Sequence, residues 1–186
     1  GVKGAVIISG GFREIGNAEL EAEVIGIARD AGIAVIGPNC QGINYLPNRL
    51  CASWPLLDVE GPIAVISQSG TIAAAMGGWA ADDAVGVTAT VALGNNSGVS
   101  ETALLEFFAG EEDVRVIALN VEGVRDGRLF MEVAKRAAAK KPVVVLKPGR
   151  TVKGAQAAQS HTKSIAGSDA VFDAMCRQIG LIRAPG

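Results

Sequence analysis

Six short apolar runs rich in β-branched residues, at 5–9, 34–36, 63–67, 87–93, 114–121 and 142–147, constrain the fold of this 186-residue chain more than any other feature. They are mostly continuous rather than alternating, which is the pattern of strands buried on both faces in a parallel sheet covered by helices. The segments between them carry helical signals. Residues 17–31 place Leu20, Val24, Ile27 and Ala28 at helical spacing behind an acidic first turn, and Gly32 supplies a stop. Residues 71–81, 101–109, 127–140 and 168–180 follow suit, the last opening on Ser168-Asp169 as a capping pair and ending at Gly180 before a short apolar Leu181-Ile182. Strand and helix alternate throughout, so the sequence predicts an α/β fold built on a doubly wound parallel sheet.

The pattern breaks at 37–62, which is rich in Pro, Asn and Gly and reads as a connection between two units, with a boundary near residue 55. The first unit then holds about two strands and one helix, too few to bury a sheet alone. It is therefore expected to be the tail of a domain that begins upstream, in a longer polypeptide, and its incomplete sheet is expected to associate with further protein.

Composition narrows the function. Hydrophobic residues make up 49% and charged ones 19%, the balance of a globular chain rather than a disordered one. With 17 basic and 19 acidic residues the net charge is −2, which gives no electrostatic footprint for nucleic acid or an anionic membrane. No apolar run approaches the ~20 residues a spanning helix needs, so a soluble, cytoplasmic protein is expected. Cys40, Cys51 and Cys176 stand at no metal-ligand spacing, and one histidine cannot complete a Cys/His zinc set. Neither a Walker A motif nor a dinucleotide fingerprint occurs, so nucleotide binding has to come from elsewhere.

Ligands of open α/β sheets gather at the carboxyl ends of the strands, and polar residues cluster there. After 63–67 comes Gln68-Ser69-Gly70-Thr71 and a helix, either a phosphate site at a positive helix end or an ordinary Ser-capped turn. After 87–93 comes Gly94-Asn95-Asn96-Ser97-Gly98, by itself only a polar turn. After 114–121 comes Glu122-Gly123, a solvated loop carboxylate or one that orients a catalytic group. After 142–147, a small-residue stretch carries the sole histidine, His161, in Gln159-Ser160-His161-Thr162-Lys163-Ser164-Ile165-Ala166-Gly167. A lone histidine is commonly a surface or satisfied core residue. Here it sits in a Ser/Thr/Gly-rich loop before a helix start, where an anion could be held. Imidazole attacks phosphorus, a carboxylate on one ring nitrogen fixes the tautomer, and helix ends hold the dianion: together these suffice for a phosphohistidine step.

Five motifs stand in order: Gly37-Pro38-Asn39-Cys40 with Gly42; Ile66-Ser67-Gln68-Ser69-Gly70; Leu93-Gly94-Asn95; Val121-Glu122-Gly123-Val124 with Asp126-Gly127; and Ser160-His161-Thr162 with Ser164 and 166–170. On these the chain resembles the NDP-forming acyl-CoA synthetase family, the superfamily of succinyl-CoA synthetase and ADP-forming acetyl-CoA synthetase. The resemblance implies that 1–55 is the end of a CoA-binding Rossmann-like domain and 56–186 a flavodoxin-like phosphohistidine domain. It implies an acid-thiol ligase that interconverts acyl-CoA, NDP and phosphate with carboxylic acid, CoA and NTP through an acyl phosphate and a phosphohistidine. His161 would be the phosphorylated residue and Glu122 its orienting carboxylate. Ser69, Gly70 and Thr71, with Ser160, Thr162 and Gly167, would bind phosphate, and Asn39, Cys40, Gly94 and Asn95 would lie near CoA and the acyl group. Coenzyme A would be the ligand of this segment, whereas ATP/ADP and Mg2+ would belong to an ATP-grasp domain in the same chain or a separate subunit. Lys163 stands where a glycine commonly follows the Ser-His-Thr run, and Asn96-Ser97-Gly98 replaces a commonly acidic turn. Two other functions compete: a non-catalytic acyl-CoA-sensing module, such as the synthetase-like region fused to protein acetyltransferases, in which the histidine is typically lost, and a flavin module, disfavoured by an aromatic content of 4%.

Overall fold

The computed structural model describes residues 1–54, 57–149 and 169–185. The first unit is small. Strands β1 (Gly4–Val6) and β2 (Ala34–Ile36) pair in parallel, and α1 (Ala18–Asp30) crosses between them as a single βαβ turn. A one-turn helix at Arg13–Ile15 precedes α1.

The remaining strands form one seven-stranded sheet. Strands β5 (Glu60–Ser67), β6 (Val87–Ala92), β7 (Val116–Asn120), β8 (Val143–Leu146) and β9 (Ile182–Arg183) are all parallel, in the order β6-β5-β7-β8-β9. This is the 2-1-3-4-5 arrangement of flavodoxin-like folds, and the predicted doubly wound sheet is present. Continuous apolar runs mark the strands that are buried on both sides: all six residues of β6 are buried.

Helix α2 (Gly70–Asp82) packs on β5 and β6, while α3 (Glu101–Gly110), α4 (Gly127–Ala138) and α5 (Asp169–Ile179) pack in succession against one another. Right-handed crossovers require this division, because the path from β5 to β6 runs opposite to every later step. Local sequence sets the helix limits. Asp126 caps α4 by accepting from Arg128 N (3.1 Å) and Leu129 N (3.0 Å), and Phe130, Val133, Ala134 and Ala137 then recur at helical spacing as its buried face. Ser100 caps α3 through Ala103 N at 3.2 Å. No helix among the described residues is long and apolar enough to cross a membrane.

One expectation is corrected. The stretch 37–62, read as a connection without periodicity, contains the hairpin β3 (Gly42–Tyr45) and β4 (Leu50–Ser53), and β3 pairs antiparallel with β6. The larger sheet therefore continues across the boundary expected near residue 55. The hairpin escaped because each strand has four residues and the turn between them is Leu46-Pro47-Asn48-Arg49, with Arg49 left-handed at φ 51°. Asn44 also looks like a loop residue, yet it is buried and its amide donates to Thr90 Oγ1 on β6 at 3.3 Å. A polar strand residue of this kind is legible only once its cross-strand partner is known.

Candidate active site

The topological switch lies at the carboxyl end of β5, where α2 departs to one side and the chain later returns to β7 on the other, leaving a crevice between two diverging connections. A cleft of about 520 Å3 opens there. Its walls include Ser69, Gly70 and Thr71 after β5, Gly94 and Asn95 after β6, Glu122 after β7, and Asn39 and Cys40 from the first unit. All eight described residues expected at the site thus share one cleft. His161, Ser160, Thr162 and Gly167 lie outside the described residues.

Ser69 caps α2 with its own hydroxyl, which accepts from Ile72 N at 3.4 Å. The turn before it is held from beneath: Ser67 Oγ donates to Ser69 O (2.6 Å), accepts from Ser69 N (3.0 Å), and also accepts from Asn120 Nδ2 (3.1 Å) on β7. Phosphate site and capped turn, separate alternatives in the sequence, are compatible in this geometry, since capping one N–H leaves the helix dipole pointing at the cleft.

Glu122 follows β7 at half-buried depth, and its backbone is fixed from across the cleft by Gln68. Gln68 Oε1 accepts from Glu122 N at 2.7 Å and from Gly123 N at 3.1 Å, while its Nε2 donates to Gly123 O at 2.8 Å. Gln68 belongs to the second motif, but nothing in its spacing says that a residue 54 positions downstream receives its side chain.

Asn95 proves to be a cross-tie between the units. Its Nδ2 donates to Glu14 Oε2 and Glu21 Oε2, each at 2.7 Å, its Oδ1 accepts from Asn39 Nδ2 at 3.1 Å, and its N–H donates to Pro38 O at 2.9 Å. Glu21 is only 3% exposed and pairs with Arg13, whose Nε donates to it at 2.8 Å, and with the Ser97 hydroxyl. Sequence inspection missed Arg13 and Glu14, which precede the helix expected at 17–31 and belong to none of the motifs, and Glu21, because an acidic first turn of a helix has an ordinary explanation in the dipole.

Burial pushes the Glu14 carboxyl up, but the Asn95 amide and the N–H groups of Gly11 and Phe12 bind its charged form and hold it at about 2, against 4.5 ordinarily. The same balance of burial against Arg13, Ser97 and Asn95 lowers Glu21. A depressed folded-state pKa contributes stability that is present above the unfolded value and lost as pH falls towards the folded one. Stability to urea should therefore fall as pH drops from about 4.5 to about 2, and more gently in Asn95→Ala, which lacks the donor to both carboxylates. Equal slopes in the two proteins would show that the Asn95 amide contributes nothing to the depression of either carboxylate, leaving it to the Gly11 and Phe12 N–H groups and to Arg13 and Ser97.

Cys40 lines the cleft but is 5% exposed, and its thiol donates to Ile7 O at 3.3 Å. Burial pushes that thiol up, the opposite of what an activated nucleophile requires. Trp54, 65% exposed, supplies the cleft with an aromatic wall.

A doubly wound sheet in this strand order, with three polar turns after adjacent strands opening on one crevice, is a domain of the flavodoxin-like class. The chain belongs to the family described as the succinyl-CoA ligase like flavodoxin domain, which matches residues 60–186. It is 46% identical over 187 residues to the alpha subunit of acetate–CoA ligase (ADP-forming) I from Pyrococcus furiosus, covering 99% of this chain and 40% of that one. It is 43% identical over 185 residues to the acetate–CoA ligase (ADP-forming) of Methanocaldococcus jannaschii, covering 99% of this chain and 26% of the relative. Among solved structures, the dinucleotide forming acetyl-coenzyme A synthetase 1 of Ca. Korarchaeum cryptofilum, in complex with phosphate and ADP, superimposes with a TM-score of 0.92 at 40% identity, covering 100% of this chain and 40% of that one. The chain thus spans well under half the length of these relatives.

Proposed function

We propose that this chain is the CoA- and phosphohistidine-handling segment of an NDP-forming acyl-CoA synthetase, an acid-thiol ligase. The convergence of the β5, β6 and β7 turns on one cleft carries this proposal, because it unites a helix start suited to phosphate, a carboxylate and the junction with the first unit. Acyl-CoA and phosphate exchange to acyl phosphate and CoA, the phosphoryl group passes from acyl phosphate to His161, and the free acid leaves. The phosphohistidine then donates to NDP in an ATP-grasp domain, which holds the Mg2+. Of the described residues, Glu122 orients the imidazole and Ser69, Gly70 and Thr71 receive the phosphoryl oxygens at the start of α2. Ser160 and Thr162, next to His161 in sequence, and Gly167 complete the proposed phosphate set. Asn39, Cys40, Gly94 and Asn95 border the thioester end of CoA. The Asn95 amide is already engaged by Glu14, Glu21 and Asn39, so its part is to hold this wall in place.

Labelling tests the proposal. Combined with its ATP-grasp partner, γ-labelled ATP and Mg2+, the protein is expected to take up acid-labile, base-stable phosphate that is absent from His161→Ala. Acyl-CoA bound without any phosphate uptake by the folded wild-type protein would overturn it in favour of a sensing module.

A further inference from the structure

The Gln68 side chain makes three hydrogen bonds to a single loop. Two successive backbone N–H groups, those of Glu122 and Gly123, converge on its Oε1 at 2.7 and 3.1 Å, and its Nε2 donates to Gly123 O at 2.8 Å. The amide orientation follows from the partners, since the oxygen meets only donors and the nitrogen meets a carbonyl. Two convergent N–H groups form a concavity of the kind that binds anions, and here a neutral amide oxygen fills it. The Gln68 backbone is fixed as well: its N–H donates to Asn120 O at 3.1 Å, extending the β5–β7 ladder by one step. Below it, Ser67 Oγ ties Asn120 to the Ser69 turn. The start of α2 and the backbone of Glu122 are thus built on one short, doubly anchored strut.

We propose that Gln68 is a positioning residue that sets the Glu122 carboxylate relative to the start of α2, so that imidazole and phosphoryl group meet in register; this rests on the phosphohistidine function proposed above. A carboxylate that orients a reacting group works only within a narrow geometry, and the Glu122 loop makes its closest described anchorage through this amide. Gln68→Ala removes all three bonds. Gln68→Glu keeps the length and both acceptances but sets a carboxylate oxygen against Gly123 O, with no proton to donate at neutral pH.

The test measures the single-turnover rate of His161 phosphorylation by γ-labelled ATP in the protein combined with its ATP-grasp partner. Gln68→Ala is expected to slow labelling by about 10- to 100-fold, the range seen when a partner that orients a functional ligand is removed. KM for CoA and for the acid should stay near wild type, and Gln68→Glu should recover as pH falls and its carboxyl regains a proton. In a Glu122→Gln background, adding Gln68→Ala should cost less than about threefold more, because two residues acting through one group are not additive. If Gln68→Ala does not fold, Gln68→Glu carries the same measurements. Wild-type labelling matched by both variants, or fully additive losses in the double variant, would overturn the positioning role and leave the phosphohistidine standing. An unlabelled wild-type protein would remove both.

Discussion

On the phosphohistidine function proposed above, Glu122→Gln is expected to lower kcat of the full-length protein, combined with its ATP-grasp partner, by roughly 10²- to 10⁴-fold, the contribution usual for a positioned proton-handling or orienting group. The substitution conserves volume, and the hydrogen bonds from Glu122 N and Gly123 N to Gln68 involve backbone alone, so the loop should keep its course. What disappears is the negative charge. As imidazole attacks phosphorus its ring becomes cationic, and a carboxylate on the remote nitrogen stabilises that charge and fixes the tautomer; an amide can orient the ring but cannot neutralise it. The loss should therefore fall on kcat with little change in KM or in the unfolding midpoint. A variant that turns over at wild-type rates would exclude Glu122 from the chemistry.

Gly94→Ala should produce the largest loss of stability among single-atom additions near the cleft. Gly94 has φ +56°, and a Cβ there would stand 2.2 Å from Asn39 O and 2.3 Å from Pro38 O. Both obstacles are backbone, so no side-chain rotation relieves them, and Asn95 N already donates to Pro38 O at 2.9 Å across the same junction. Left-handed strain and overpacking, each of about 1–3 kcal/mol, act together, giving an expected loss of about 3 kcal/mol or more in urea unfolding. Gly78→Ala is the matched control. It sits in α2 with nothing within 4 Å of the new methyl and should be neutral or stabilising. A Gly94→Ala midpoint close to wild type would mean that the β6 turn and residues 38–39 separate freely in solution.

The strands and helices were legible where burial on both faces left a long apolar trace. Residues 87–92 are buried throughout, and the expected run at 87–93 differs from β6 by one residue. The hairpin at 42–53 was not, because an edge strand shows no such trace: its last strand, β4, is exposed or half-buried along its length. At the site, residues that follow a strand end could be named from the chain alone, since the switch-point rule turns sequence order into spatial convergence. The roles of Gln68, Glu14 and Glu21 could not be read that way. Their partners lie 54, 81 and 74 positions away, and a side chain's long-range partner is a property of the folded chain. His161 was singled out by chemistry, as the one imidazole in the sequence.

The pairing of β3 with β6 bears on how such a domain can be passed between proteins. The family match starts at residue 60, yet the flank of β6 that a chain cut at that point would leave open is closed here by residues 42–45. A gene fusion or subunit split that respected only the later segment would carry away a sheet with raw hydrogen-bonding groups along Ala89–Ala92, a template for joining to any passing strand. The portable unit is therefore larger than the stretch that looks self-contained, and breakpoints that keep it sound lie upstream of Gly42, within the partner unit's own last turn.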